Sequence, residues 1–218
     1  MRPAWKFLRT AHDSTAAILE SFEARRRANK DAIGKTHGRL SADEMDLLRA
    51  AIVFTSSGMD ASLQRLVRDT LPALIAVEGS GARAKYQKFL TEQLRLVKPM
   101  KEFSAAVLGD DPARELVKAY VDMRTKASYL GIGDLTDRVR ETLGLSRTAV
   151  PEADIYALEP FFLARNAIVH RMDYVDAAAP KSRKRHPRMY DATVSECDLA
   201  FDVVSRLILE SANLMRRK

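Results

Sequence analysis

Residues Phe161-Phe-Leu-Ala-Arg-Asn-Ala-Ile-Val-His-Arg-Met-Asp173 contain neither glycine nor proline. With Leu158 just ahead of them, their apolar members recur at helical spacing: Leu158, Phe161, Phe162, Ile168, Val169 and Met172. The stretch is expected to be a helix that turns an apolar stripe towards a core. Arg165 falls inside that stripe, four residues after Phe161 and three before Ile168. Burying a guanidinium unpaired is costly, so an anion is expected to meet it. Asn166 and His170 are four apart and share a face, with Asp173 close to one turn further on. Arg165 and His170 are five apart, about 140° around the axis of a helix. Their tips converge only across a cleft, with the longer arginine reaching sideways. Nowhere else in the chain does polar chemistry interrupt a core pattern in this way.

The neighbouring segments share the helical period. Trp5, Phe7, Leu8, Ala11, Ala16, Ile18, Leu19 and Phe22 predict a helix from about Ala4 to Asp31, ending in the basic run Arg25-Arg-Arg-Ala-Asn-Lys30 before Gly34 and Gly38. That run is either a solvated helix end or a patch facing phosphate. Ser41-Ala-Asp-Glu44 has the form of a capping box and opens a second helix with Leu47, Leu48, Ala51, Ile52 and Phe54 inward. Ser56-Ser-Gly-Met-Asp60 either kinks it or ends it, and the period resumes from Leu63 to Ile75. Glu78-Gly-Ser-Gly81 is a break. Ala82 to Leu108 is helical with Leu94, Val97 and Val107 among its inward residues, divided or kinked at Pro99. Asp110-Asp-Pro-Ala-Arg starts another helix that runs to Tyr129-Leu130 and closes at Gly131-Ile-Gly133. Leu135 to Leu143 is a short amphipathic piece, Pro151-Glu-Ala-Asp leads into the Arg165 helix, and a last helix covers roughly Thr193 to Arg216.

No segment alternates like a strand. The fold class expected is all-α: an up-and-down bundle with additional helices, one domain over residues 1–218. Between the Arg165 helix and the last helix lies a basic loop, residues 177–190. Six of its eight residues from Lys181 to Arg188 are Lys, Arg or His. It is either solvated surface or a grip on a phosphate backbone through Lys181, Arg183, Lys184, Arg185 and Arg188.

Lysine and arginine together number 36 against 29 acids, for a formal charge of +7 and a pI near 9.6. A polyanion, nucleic acid ahead of an anionic membrane, is the partner such a surplus favours. The single cysteine, Cys197, excludes an internal disulfide and a cysteine-rich metal site, which fits a reducing cytoplasm. No signal peptide and no membrane-spanning run is seen. The four histidines are scattered without ligand spacing, and neither common phosphate-binding glycine loop occurs, so no metal and no cofactor is expected. Cys197 has no sequence feature that makes it a nucleophile.

Arg165, Asn166 and His170 remain. Histidine transfers protons near neutral pH, and arginine stabilises charge on a phosphoryl group. Together they suit cleavage of RNA without metal, through attack of the ribose 2′-hydroxyl on the adjacent phosphate. One histidine serves as base or as acid, hardly both, so a symmetric dimer would supply the second. The alternative is a buried histidine and an arginine that ties helices together.

Arg165-Asn-Ala-Ile-Val-His170 resembles the Arg-x(4–6)-His motif of the HEPN superfamily, including the polar residue directly after the arginine. It lies on the penultimate long helix, where that family carries it. Leu47 to Ile75 is loosely similar to an earlier helix of the bacterial RiboL-PSP-HEPN group. The resemblance implies a dimeric helical ribonuclease, often a toxin or phage-defence effector. His170 would be its acid/base, Arg165 would hold the scissile phosphate, and Asn166 would orient one of them. An antitoxin or a defence-system protein would be the partner. The group paired with nucleotidyltransferase antitoxins has a tyrosine two residues after the histidine, where this chain has Met172 and then Tyr174. A non-catalytic RNA-binding or regulatory dimer using the same groove is the second reading, and a helical DNA-binding regulator the third.

Overall fold

The computed structural model describes residues 2–33, 40–178 and 184–216. Ser41 opens the organising helix, α2 (Ala42–Ile75). Its Oγ accepts the Glu44 N–H at 3.2 Å, and its own N–H donates to Glu44 Oε2 at 2.7 Å, closing the capping box. Burial then recurs every three or four residues from Leu48 to Ile75, so one face of α2 is core along its whole length. α1 (Arg2–Ile33) lies antiparallel to it, since Arg25 meets Asp43 near one end while Thr15 and Thr55 share a 3.1 Å hydroxyl hydrogen bond further in. α8 (Tyr190–Arg216) is antiparallel to α1 in turn: Tyr190 bonds Glu23, and Phe201 packs edge-on against His12. α7 (Glu159–Arg171) packs on α2 and α8 and completes the bundle.

Ser56-Ser-Gly-Met-Asp60 does not end α2, which runs on through it, and α1 packs tightly there. A Cβ added at Gly58 would stand 1.9 Å from Ala11 Cβ. The roughly 1 kcal/mol that glycine costs a helix interior is offset there by close helix packing. Two residues on, Asp60 Oδ1 accepts the Tyr129 N–H at 2.8 Å and so anchors the second half of the molecule.

That half is α3 (Gly81–Arg95), α4 (Lys101–Val107) and α5 (Pro112–Thr125), joined by the ring contacts of Tyr86, Phe89, Phe103 and Tyr120. Pro99 lies in the break between α3 and α4, and Asp111 caps α5 with Pro112 in its first turn, as expected. α5 stops at Thr125, short of Tyr129-Leu130, because other groups satisfy the backbone there. Asp60 takes the Tyr129 N–H, Asp134 takes the Leu130 N–H at 2.9 Å, and the Arg138 guanidinium covers the carbonyls of Arg124 and Ser128. A π-helical segment, Asp134–Arg140, and α6 (Glu152–Tyr156) lead back to α7. Leu94, Val97 and Val107 face water, as does Phe54, contrary to their expected inward placing. Leu94 and Val97 fall at the frayed end of α3 and beyond it, where helical period no longer sets direction.

The fold is all-α. Among the described residues there are eight α-helices and one π-helical segment, and the one extended pairing is an isolated bridge between Tyr174 and Arg185. No described helix is long and apolar enough to cross a membrane.

The α1–α2 crossing generates a test. Gly58→Ala should lose about 1–3 kcal/mol through overpacking against Ala11, although alanine is the better helix former. Gly131→Ala, with no atom within 4 Å of the added Cβ, should lose none. Urea denaturation of both variants checks the contrast.

The exposed face of helix α7 and a buried carboxylate

At about 100° per residue, Phe161, Ala164, Ala167 and Ile168 line one half of α7 and are buried, and Phe162 is buried from within the other half. Leu163, Arg165, Asn166, Val169 and His170 share that other half, with Arg165 and Asn166 half-buried and the rest exposed. Leu158, Phe161, Phe162 and Ile168 are core as expected, Arg165 is half-buried, and Val169 and Met172 are not core. Those two were misplaced because apolar residues surround the whole circumference of α7, and period alone does not pick the side that neighbouring helices cover. Leu163 is 63%, Val169 44% and Met172 64% exposed, so the motif residues sit among apolar side chains in open water.

Arg165 Nη1 donates to Asn166 Oδ1 at 3.0 Å. Among the described residues no carboxylate pairs with Arg165, so its remaining donors stay open to an anion. His170, in the last turn, is exposed. The structure thus places Arg165 beside Asn166 and sets His170 further along the same half of the helix.

The helix stops in an unusual way. Met172 has φ 50° and Asp173 φ 63°, two successive non-glycine residues in the left-handed region, and the Asp173 N–H returns to the Ala167 carbonyl at 2.8 Å. Asp173 is fully buried. Its Oδ2 accepts Arg49 Nε at 2.8 Å and Arg188 Nε at 2.9 Å, while Arg188 Nη2 bonds Oδ1. Arg49 also donates to the His186 carbonyl at 2.8 Å and to Asp46 Oδ1 at 3.0 Å, and Arg185 pairs with that same Asp46. Burial alone would raise the Asp173 carboxyl, but hydrogen bonds and charge from Arg188 and Arg49 outweigh it and hold the group below the usual carboxylate range. Glu196 on α8 also feels Arg188, yet burial wins there and its carboxyl is held above the usual range.

This cluster changes how the basic loop reads. Arg185 and Arg188 are half-buried and face Asp46 and Asp173, and Lys184 is exposed. Lys181 and Arg183 lie outside the described residues, as do Gly34 and Gly38. The loop's ends are tied by the Val175 N–H to the Lys184 carbonyl at 3.0 Å and the His186 N–H to the Asp173 carbonyl at 2.9 Å. Sequence reading missed Arg49 and the role of Asp173. Two signals were present: Arg49 falls on the apolar stripe of α2, three residues before Ile52, and Asp173 is the first acid after Glu159.

Among the described residues no group of three or more His, Cys, Asp or Glu is placed to hold a metal. Burial pushes the Cys197 thiol up to about 11, which leaves it a poor nucleophile. No known family, no curated protein and no solved structure matches this chain.

Asp173→Asn isolates the charge, since asparagine keeps the shape and tolerates the left-handed backbone. At neutral pH it should cost roughly 3 kcal/mol, because Arg49 and Arg188 would remain buried against a neutral amide. With its folded pKa depressed, Asp173 stabilises fully above its unfolded value and stops doing so as pH falls through the folded value. The wild-type and variant stabilities should therefore converge below about pH 4. Urea denaturation across pH checks both the gap and its closure.

Proposed function

We infer that this chain is a metal-independent endoribonuclease that acts as a homodimer of HEPN type. The observation that carries this reading is the state of Arg165. Arg49, Arg185 and Arg188 are all held by carboxylates, whereas Arg165 is oriented by neutral Asn166 and keeps donors for an incoming phosphate, on the half of α7 that also bears His170. An unneutralised, oriented guanidinium suits the charge that builds on a phosphoryl group in its transition state.

Exposed Leu163, Val169 and Met172 support the second copy. Their burial against another α7 would exclude water around the motif, and the partner would bring its own arginine and histidine across the seam. In such a pair, one His170 takes the proton of the ribose 2′-hydroxyl as its oxygen forms a bond to phosphorus. The bond from phosphorus to the 5′-oxygen breaks, and the second His170 donates a proton to that oxygen. The products are a 2′,3′-cyclic phosphate and a 5′-hydroxyl end. The surplus of 36 basic over 29 acidic residues supports RNA as the polyanion drawn to this face. A toxin or defence role, with an antitoxin or sensor as partner, belongs to the same reading.

Incubating the protein with total RNA and tRNA in EDTA tests it. Wild type should generate 5′-hydroxyl fragments, and His170→Ala should reduce cleavage by about 10²-fold or more with the fold retained. Arg165→Ala should lose cleavage comparably. Equal cleavage by wild type and His170→Ala would sink the assignment. Salt-sensitive RNA binding without new ends would identify a binding dimer instead. Separately, Val169→Asp should shift the protein from dimer to monomer in sedimentation velocity and lower cleavage with it.

A further inference from the structure

The basic run Arg25-Arg-Arg-Ala-Asn-Lys30 at the end of α1 plays no part in the reading above. Half of it is engaged internally with the start of α2: Arg25 pairs with Asp43 at 2.9 Å, Arg26 with Glu44 at 3.3 Å, and Asn29 bonds Glu44 at 3.0 Å. Arg27 and Lys30 are exposed, one turn apart, and neither has a carboxylate partner among the described residues. Both face a recess of about 540 Å³ between α1, the start of α2 and the entry to α8. That volume lies in the range of roughly 300–1,000 Å³ typical of small-molecule sites.

Phe22 and Tyr190 form an aromatic wall of the recess, their rings stacked 4.9 Å apart and within 11° of parallel. Leu40, Met45, Pro187 and Met189 extend the apolar lining. Glu23, one turn from Arg27 on the same helix, and Asp191 add carboxylates to the lining. The Tyr190 hydroxyl donates to Glu23 Oε1 at 2.6 Å, a bond that raises the phenol to about 12 and leaves the second carboxylate oxygen of Glu23 without a share in it. A lining that combines stacked rings, two cations without carboxylate partners and carboxylate acceptors suits one kind of occupant. It has a planar ring for the aromatic wall, an anionic group for the cations and N–H or O–H donors for the acids.

We propose that this recess binds a small planar anion: an aromatic ring carrying a phosphate or carboxylate, with donors facing Glu23. Arg188 closes one side of the recess and also holds Asp173, so the occupant sits against the residues that fix the end of α7. The site is separate from Arg165 and His170, and it stands or fails independently of RNA cleavage.

Isothermal titration calorimetry on the full chain tests it with five probes. AMP and GMP supply ring plus phosphate, indole-3-acetate ring plus carboxylate, and adenosine and inorganic phosphate the separate halves. At least one ring-bearing anion should bind with Kd of about 1 mM or tighter, and the halves markedly more weakly. Which of the three binds identifies the anionic group. Arg27→Ala combined with Lys30→Ala, both on the surface, should weaken that binding about tenfold. Tyr190→Leu should weaken it by roughly three- to tenfold through loss of the stack. Circular dichroism of each variant verifies the fold. Absence of binding by all three ring-bearing anions, or equal binding by wild type and the Arg27/Lys30 double variant, overturns the proposal.

Discussion

The end of α7 and its connection to α8 depend on the Asp173 carboxylate. It is fully buried, and two guanidinium groups from distant segments close on it, Arg49 from α2 and Arg188 from the approach to α8. A buried ion group of this kind gives modest net stability but strong geometric definition, since each member is expensive to leave unpaired. Here it also holds two left-handed residues, Met172 and Asp173, whose conformation costs on the order of 1–3 kcal/mol each. The direction in which the chain leaves α7 is thereby set by electrostatics as well as by backbone preference.

A division of labour among the arginines follows. Arg49 and Arg188 turn inward, meet Asp173 and join α2, the end of α7 and the approach to α8. Arg165, on the outer half of α7, meets only a neutral amide. The difference comes from which half of α7 the bundle covers. Ala164 and Ala167 allow close approach on one side, and the larger Leu163 and Val169 remain in water on the other. Exposed Leu163, Val169 and Met172 around oriented polar groups are what the proposed homodimer rests on.

Local features were legible in the sequence. The Ser41 capping box, the Asp111-Pro112 start and the Pro99 break depend on residues within a few positions of one another, and all stand where their chemistry puts them. Features that depend on distant partners were not. Gly58 reads as a breaker until Ala11 is seen against it, when it becomes a close crossing. Of the expected inward stripe of α7, Leu158, Phe161, Phe162 and Ile168 are buried, but Val169 and Met172 are not, because apolar residues circle the helix and period alone does not choose between sides. The Arg49–Asp173 contact spans 124 residues, and no local pattern encodes such a pair. The basic loop looked like one cationic surface, but two of its arginines face inward to acids.

The crossbridge at the base of that loop has a further consequence. Tyr174 pairs with Arg185, and the backbone on either side is tied by two hydrogen bonds, so the α7–α8 connection is closed at its neck. With the neck closed, the direction in which the chain enters α8 is set by backbone bonds and the Asp173 ion group at its base, so α7 and α8 keep their relation through contacts made at the neck itself.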